Sequence, residues 1–154
     1  PEKEYGPTYK TNFHIRDLSD YNIFEPIVQI LNQELEQYGT YFEFVNPPWY
    51  SEYGPHDWHE PHNHDMKEIN IMQLGNAFKY SCIINLSMIG ETAFLNPNYS
   101  SSENIVLRIP SDFGRTIFFP SNLIHWTTPH RLEGRTRATI SFNCIMYGRQ
   151  NANV

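Results

Sequence analysis

Four of the seven histidines fall within nine residues, at His56, His59, His62 and His64 in the segment GPHDWHEPHNHD. Imidazole nitrogens at that density are the raw material of a metal centre. On a β-strand alternate residues share a face, so His62 and His64 would present two rings to one point while Asn63 faces away. A mononuclear site needs a further donor, and His125 in FGRTIFFPSNLIHWTTP is the best placed. Apolar Ile117, Phe118 and Phe119 run into a turn at residues 120–122, and a two-strand hairpin would carry His125 inward. Imidazole suits Fe, Zn, Cu and Ni alike, so the residue types point to a metal before they point to which one. His56 and His59 precede the pair in a Pro-flanked loop and are expected at the mouth or against the substrate; His14 and His130 are expected to be incidental.

Non-haem Fe(II) sites usually add one carboxylate to two histidines on a single face. No histidine in this chain has Asp or Glu two positions later, and His64 stands where that acid would be. Asp65 adjoins the pair on the opposite strand face, and Glu68 follows four residues after His64. Either reaches the metal only if the strand ends there.

A second chemistry-bearing element is TRATISFN. Alternation puts Arg137, Thr139, Ser141 and Asn143 on one face and Ala138, Ile140, Phe142 and Cys144 on the other. One polar and one apolar face are what a strand needs when a barrel encloses a polar ligand and a helix covers its outside. The planar guanidinium of Arg137 takes a carboxylate bidentately, and Thr139 adds a hydroxyl donor. Arg135 is the alternative, and a salt bridge to an acidic neighbour is the plain structural role for Arg137.

These groups require elements to hold them. From Asp20 as N-cap, Ile23, Phe24, Ile27, Val28, Ile30, Leu31 and Leu35 form a helical stripe that ends at Gly39, with Pro26 in the first turn. The rest is short β-branched and aromatic runs between Gly, Pro, Asn and Ser: Thr40–Val45, Trp49–Tyr53, Tyr80–Leu86, Glu91–Leu95, Asn104–Ile109, Arg115–Phe119, Leu123–Thr128 and Thr136–Tyr147. The segment Lys67–Leu74 fits either type. The expected fold is all-β with an N-terminal helix, a jelly roll, in one domain over residues 1–154 with 1–40 as helical support and 41–147 as the β core.

Composition narrows the function. With 154 residues there is room for about one domain. Eleven basic against 17 acidic residues give a net charge of −6, which disfavours nucleic acid as a partner because that contact is chiefly electrostatic. Aromatic residues make up 15% of the chain, too many for a disordered one. Cys82 and Cys144 lie in apolar runs and read as buried free thiols rather than staples. No apolar run approaches the roughly 18 residues of a membrane span, and the N-terminal PEKEYGPTYK lacks a signal-peptide core. A cytoplasmic protein with no membrane partner is the expectation.

From Trp49 to Asn143 the chain resembles the double-stranded β-helix oxygenases that use Fe(II) and 2-oxoglutarate, most of all their small phage and bacterial members. The matching features are the strand Trp49–Tyr53, the pair His62 and His64, the strand Tyr80–Leu86, and the run from Gly114 through Ser121. His125 and the strand Arg137–Asn143 ending in S-F-N complete the match. The resemblance implies that His62, His64 and His125 hold iron and that Arg137 grips the distal carboxylate of 2-oxoglutarate, with Thr139, Tyr80 and Asn85 assigned to the same cosubstrate. The departure is HNH where that superfamily has H-x-D. A cupin-type pattern is also met, H-x-H with Glu68 and Gly75, then Gly114, Pro120 and His125, with Asn122 where cupins usually have Gly. It implies a metal-dependent dioxygenase or isomerase with Glu68 as a fourth ligand. Either resemblance implies a small-molecule or peptidyl substrate.

Overall fold

The computed structural model describes residues 10–12, 24–64, 77–98 and 105–148. Its elements in chain order are β1 (Lys10–Asn12), α1 (Phe24–Glu36), β2 (Thr40–Phe44), β3 (Trp49–Tyr53), β4 (His59–His62), β5 (Ala77–Asn85), β6 (Glu91–Leu95), β7 (Val106–Pro110), β8 (Thr116–Pro120), β9 (His125–Thr127) and β10 (Arg137–Gly148). All described pairings are antiparallel. One sheet runs β1-β3-β10-β5-β8 with β2 also on β10, and the other runs β4-β9-β6-β7. Between β3 and β10 the chain changes sheet at every step except the β6–β7 hairpin. That winding is a jelly roll in the double-stranded β-helix arrangement, as expected.

The position of β10 makes it the spine. One edge pairs with β5 from Thr139 to Tyr147; the other is shared, β3 taking residues 137–141 and β2 taking residues 144–148. The outward residues of β10 meet the helix. Phe42, Cys82, Ile84, Phe142 and Cys144 form a buried cluster against which Ile27, Val28, Leu31 and Leu35 of α1 pack. Phe142 is completely buried, stacked 5.3 Å from Phe42 and edge-on to Phe44 at 4.7 Å. Both cysteines are free and buried here, and burial pushes the Cys144 thiol up to about 12.

Several local expectations change. The helix runs from Phe24 to Glu36, with Asp20 and Ile23 outside the described residues. Its stripe omits Ile30, which is 60% exposed; at 100° per residue it lies about 120° around from the stripe's centre. After Glu36, Gly39 takes a φ of 65°, the left-handed conformation that ends helices. Strand β1 lies in the part expected to be helical support, paired with β3. His130 has a structural role: its Nδ1 accepts from the Leu132 N–H (3.3 Å), so its Nε2–H donates to the Tyr53 carbonyl (3.1 Å) and ties its loop to the end of β3. Lys67–Leu74 and His14 lie outside the described residues. Among the described residues no helix is long and apolar enough to cross a membrane.

Phe142→Ala removes the centre of the aromatic cluster, and a large-to-small change there costs about 3–5 kcal/mol. Chemical denaturation should show that loss, whereas Ile30→Ala should stay within about 0.5 kcal/mol of the parent.

Candidate metal centre

The three histidines converge. One ring nitrogen from each of His62, His64 and His125 lies within 4.8 Å of the other two. Ring centroids are 4.3 Å apart for His62 and His125, 5.1 Å for His62 and His64, and 5.2 Å for His64 and His125. His62 ends β4 directly opposite His125 in β9. His64 does not continue the strand, as alternation would have it: β4 stops at His62, and the His64 backbone N–H instead donates to the Ser121 carbonyl (2.8 Å). A loop bond, not a strand face, sets the second ring of the pair.

Two of the rings have fixed tautomers. The Nδ1–H of His62 donates to the Glu60 carbonyl (2.8 Å) and that of His125 to the Leu123 carbonyl (3.1 Å), which leaves each Nε2 lone pair for a metal. Phe119, with its ring 4.6 Å from that of His125, and Phe94 at 6.0 Å wall the imidazole in. Burial holds these rings neutral: His64 titrates down near about 4 and His125 near about 3, each lowered further by neighbouring imidazoles. Three neutral imidazoles with nitrogens within 4.8 Å of one another are a donor set that suits a transition-metal ion. His59 also lines the cavity, its ring 4.0 Å from that of His62. His56 is exposed, 3.7 Å from the Glu133 carboxylate. Asp65 and Glu68 lie outside the described residues.

These rings open onto a cavity of about 600 Å³ between the sheets. From β10 it is lined by Arg137, Thr139, Ser141 and Asn143, the face that alternation predicts. Arg137 is 1% exposed. Its Nη1 donates to the Glu91 carbonyl (2.9 Å) and its Nη2 to Thr92 Oγ1 (2.8 Å), and its guanidinium carbon sits 5.7 Å from the Tyr53 ring centre. The Glu91 carboxylate pairs with Arg108 instead. Arg137 thus makes no salt bridge among the described residues, and its Nε has no hydrogen-bond partner. Desolvation lowers its pKa to about 10, so it stays cationic at neutral pH.

Two assigned positions lie elsewhere. Tyr80 points to the other side of β5 and packs against the cluster under the helix. Asn85 is buried on the inner face beyond the cavity, donating to the Arg115 carbonyl (3.1 Å). Trp49 and Tyr53 line the cavity; Trp58 and Trp126 do not. Thr92 was not singled out by sequence, although a threonine in the apolar run ETAFL is the signal that could have found it.

No protein-family model matches the chain, and no curated protein sequence matches it. Solved structures do. A viral collagen prolyl hydroxylase of Paramecium Bursaria Chlorella virus-1, in complex with 2OG, superposes with a TM-score of 0.51 at 13% identity, covering 91% of this chain and 77% of that one. AviO1 of Streptomyces viridochromogenes Tue57 gives 0.51 at 15% identity, over 88% of this chain and 62% of that one. Identities this low establish a shared fold.

Elemental analysis should find about one transition metal per chain, and His125→Ala should abolish it; full retention would remove His125 from the site. The metal-free protein should also respond to acid. Unfolded histidines take up protons near pH 6.5, whereas in the folded state His64 does so near about 4 and His125 and His59 near about 3. Between those values the unfolded state binds more protons, so stability is complete above about 6.5 and falls as pH drops toward 4. Thermal unfolding at pH 7.5 and 5 should show it, with a smaller drop in His125→Ala.

Proposed function

We propose that this protein is an Fe(II)- and 2-oxoglutarate-dependent oxygenase acting on a small-molecule or peptidyl substrate. The observation that carries the reading is one of charge. The described lining of the cavity contains three converging neutral imidazoles and a buried guanidinium, and no carboxylate. With a divalent ion on the histidines the net charge is +3, which calls for a ligand with at least two negative charges.

The spacing suits a short diacid. On the second sheet the Arg137 head group meets Thr92, which is opposite Thr127, while His125 is opposite Phe94. Two strand residues separate these levels, about 7 Å at roughly 3.3 Å per residue. A ligand with one anionic end at the histidines and the other at Arg137 fits that interval, and 2-oxoglutarate is such a dianion.

When bound, iron and 2-oxoglutarate would activate dioxygen, the oxidant: oxidative decarboxylation of 2-oxoglutarate to succinate takes up one oxygen atom and a substrate C–H bond takes up the other. The chain's own residues do the positioning. His62, His64 and His125 would hold the ion. Arg137, steadied by Thr92 and the Tyr53 ring, offers Nε and its remaining Nη hydrogens to the distal carboxylate, with the Thr139 hydroxyl on the same face. Phe94 and Phe119 keep water from the back of His125.

Anaerobic addition of Fe(II) and then 2-oxoglutarate should produce a visible metal-to-ligand charge-transfer band. Arg137→Ala should weaken 2-oxoglutarate binding by at least about thirtyfold with metal content intact, since removing one partner of a buried charge pair costs about 2–5 kcal/mol. Equal binding to both forms would sink the oxygenase reading in favour of a cupin-type metal enzyme. In that case Glu68→Gln would lower iron affinity beyond about tenfold.

A further inference from the structure

The cavity extends past the interval between the histidines and Arg137. Along β10 its inward side chains run over six residues from Arg137 to Asn143, about 20 Å at roughly 3.3 Å per residue. Arg137 closes one end. At the other, the Ser81 hydroxyl donates to Asn143 Oδ1 (2.8 Å), and the Asn143 backbone carbonyl accepts from the Val45 N–H (2.9 Å). That backbone bond draws the loop after β2 over the cavity, and with it Asn46, Pro47 and Pro48. Trp49 begins β3 here, opposite Ser141, with its ring 5.6 Å from that of His64, while Tyr53 at the strand's other end is opposite Arg137. This end therefore abuts the histidines from the side away from the guanidinium.

Its chemistry is specific. Asn46 Oδ1 is buried and has no hydrogen-bond partner among the described residues. A desolvated amide oxygen is costly to leave unpaired, and the partner it lacks is a donor. Asn143 has its side-chain carbonyl occupied by Ser81, so its amide nitrogen is what it has left to donate. One acceptor, on the loop after β2, and one donor, on β10, thus line the same end of the cavity with Pro48 and Trp49. No charged side chain accompanies them in the described lining, where Arg137 at the far end is the sole permanent charge.

We infer that this end is the primary-substrate subsite, on the oxygenase reading above, and that it recognises a neutral amide, a peptide bond or carboxamide, whose N–H donates to Asn46 Oδ1 and whose carbonyl accepts from Asn143 Nδ2. A carboxylate is disfavoured because it would set oxygen against oxygen at Asn46 with no cation beside it. An ammonium is disfavoured by the positive metal site and by a described lining that holds no carboxylate.

The test uses three probes of one shape: N-methylpropanamide, methyl propanoate, which lacks the N–H, and propanoate with its free carboxylate. Binding is followed by NMR on metal-free protein, so that a failure of the metal and cosubstrate assignments does not mask the result, and is repeated with metal and 2-oxoglutarate present. The amide should bind at least fivefold more tightly than the ester or the acid and should shift the side-chain amide signals of Asn46 and Asn143. Asn46→Ala should bring the amide down to the ester's level with a melting temperature equal to or above the parent's. A structural asparagine would instead lower the melting temperature on removal. Equal binding of amide and ester, tighter binding of the acid, or unchanged amide binding in Asn46→Ala overturns the inference.

Discussion

Arg137 carries a full positive charge into the space between two sheets, 1% exposed, with no carboxylate from the described residues to meet it. Such a charge is tolerable only where dipoles replace its water, and here a backbone carbonyl, a threonine hydroxyl and a tyrosine face take up part of that role. The replacement is incomplete, since Nε stays unpaired. This one group calls for a polar lining on its side of the barrel. An apolar filling around it would raise the desolvation penalty, and the cavity it shares is lined by Ser51, Thr127, Thr139 and Ser141.

A barrel that keeps a polar lumen needs its apolar burial elsewhere. It lies outside, where the opposite face of β10 meets β2 and the helix: Phe42, Phe142 and Cys144 exclude water almost completely. The helix is thus more than decoration on a sheet. It covers the face that stabilises the sheet, while the inner face is left free for ligand chemistry.

The smaller apolar cluster inside the barrel has a different task. Ile83, Phe94 and Phe119 fill the space behind His125 and fix its ring, while backbone carbonyls at Glu60 and Leu123 fix which nitrogen each imidazole presents. Well-packed side chains adopt few arrangements. The three ring nitrogens are therefore held within 4.8 Å of one another by packing and backbone bonds.

What the residues determined by themselves were the properties that repeat along the chain. The period of two in β10 separated Arg137, Thr139, Ser141 and Asn143 from Phe142 and Cys144, and the helical period marked the side of α1 that is buried, because both follow from backbone geometry within a few residues. The crowding of His62 and His64, with His125 after a turn, was visible for the same reason. The same period separates Tyr80, Cys82, Ile84 and Leu86 from Ser81, Ile83 and Asn85 in Tyr80–Leu86, but which set faces the lumen follows from the pairing of β5 with β10 and β8, which sends Ser81 and Ile83 inward and Tyr80 toward the helix. His64 holds its place through a bond to Ser121, 57 residues on. Arg137 is steadied by Thr92, 45 residues back, and Asn46 reaches the cavity because Val45 bonds to Asn143. These partners were decided by the order and register of strands drawn from distant parts of the chain, which depend on how two sheets close on each other and leave no mark in local periodicity.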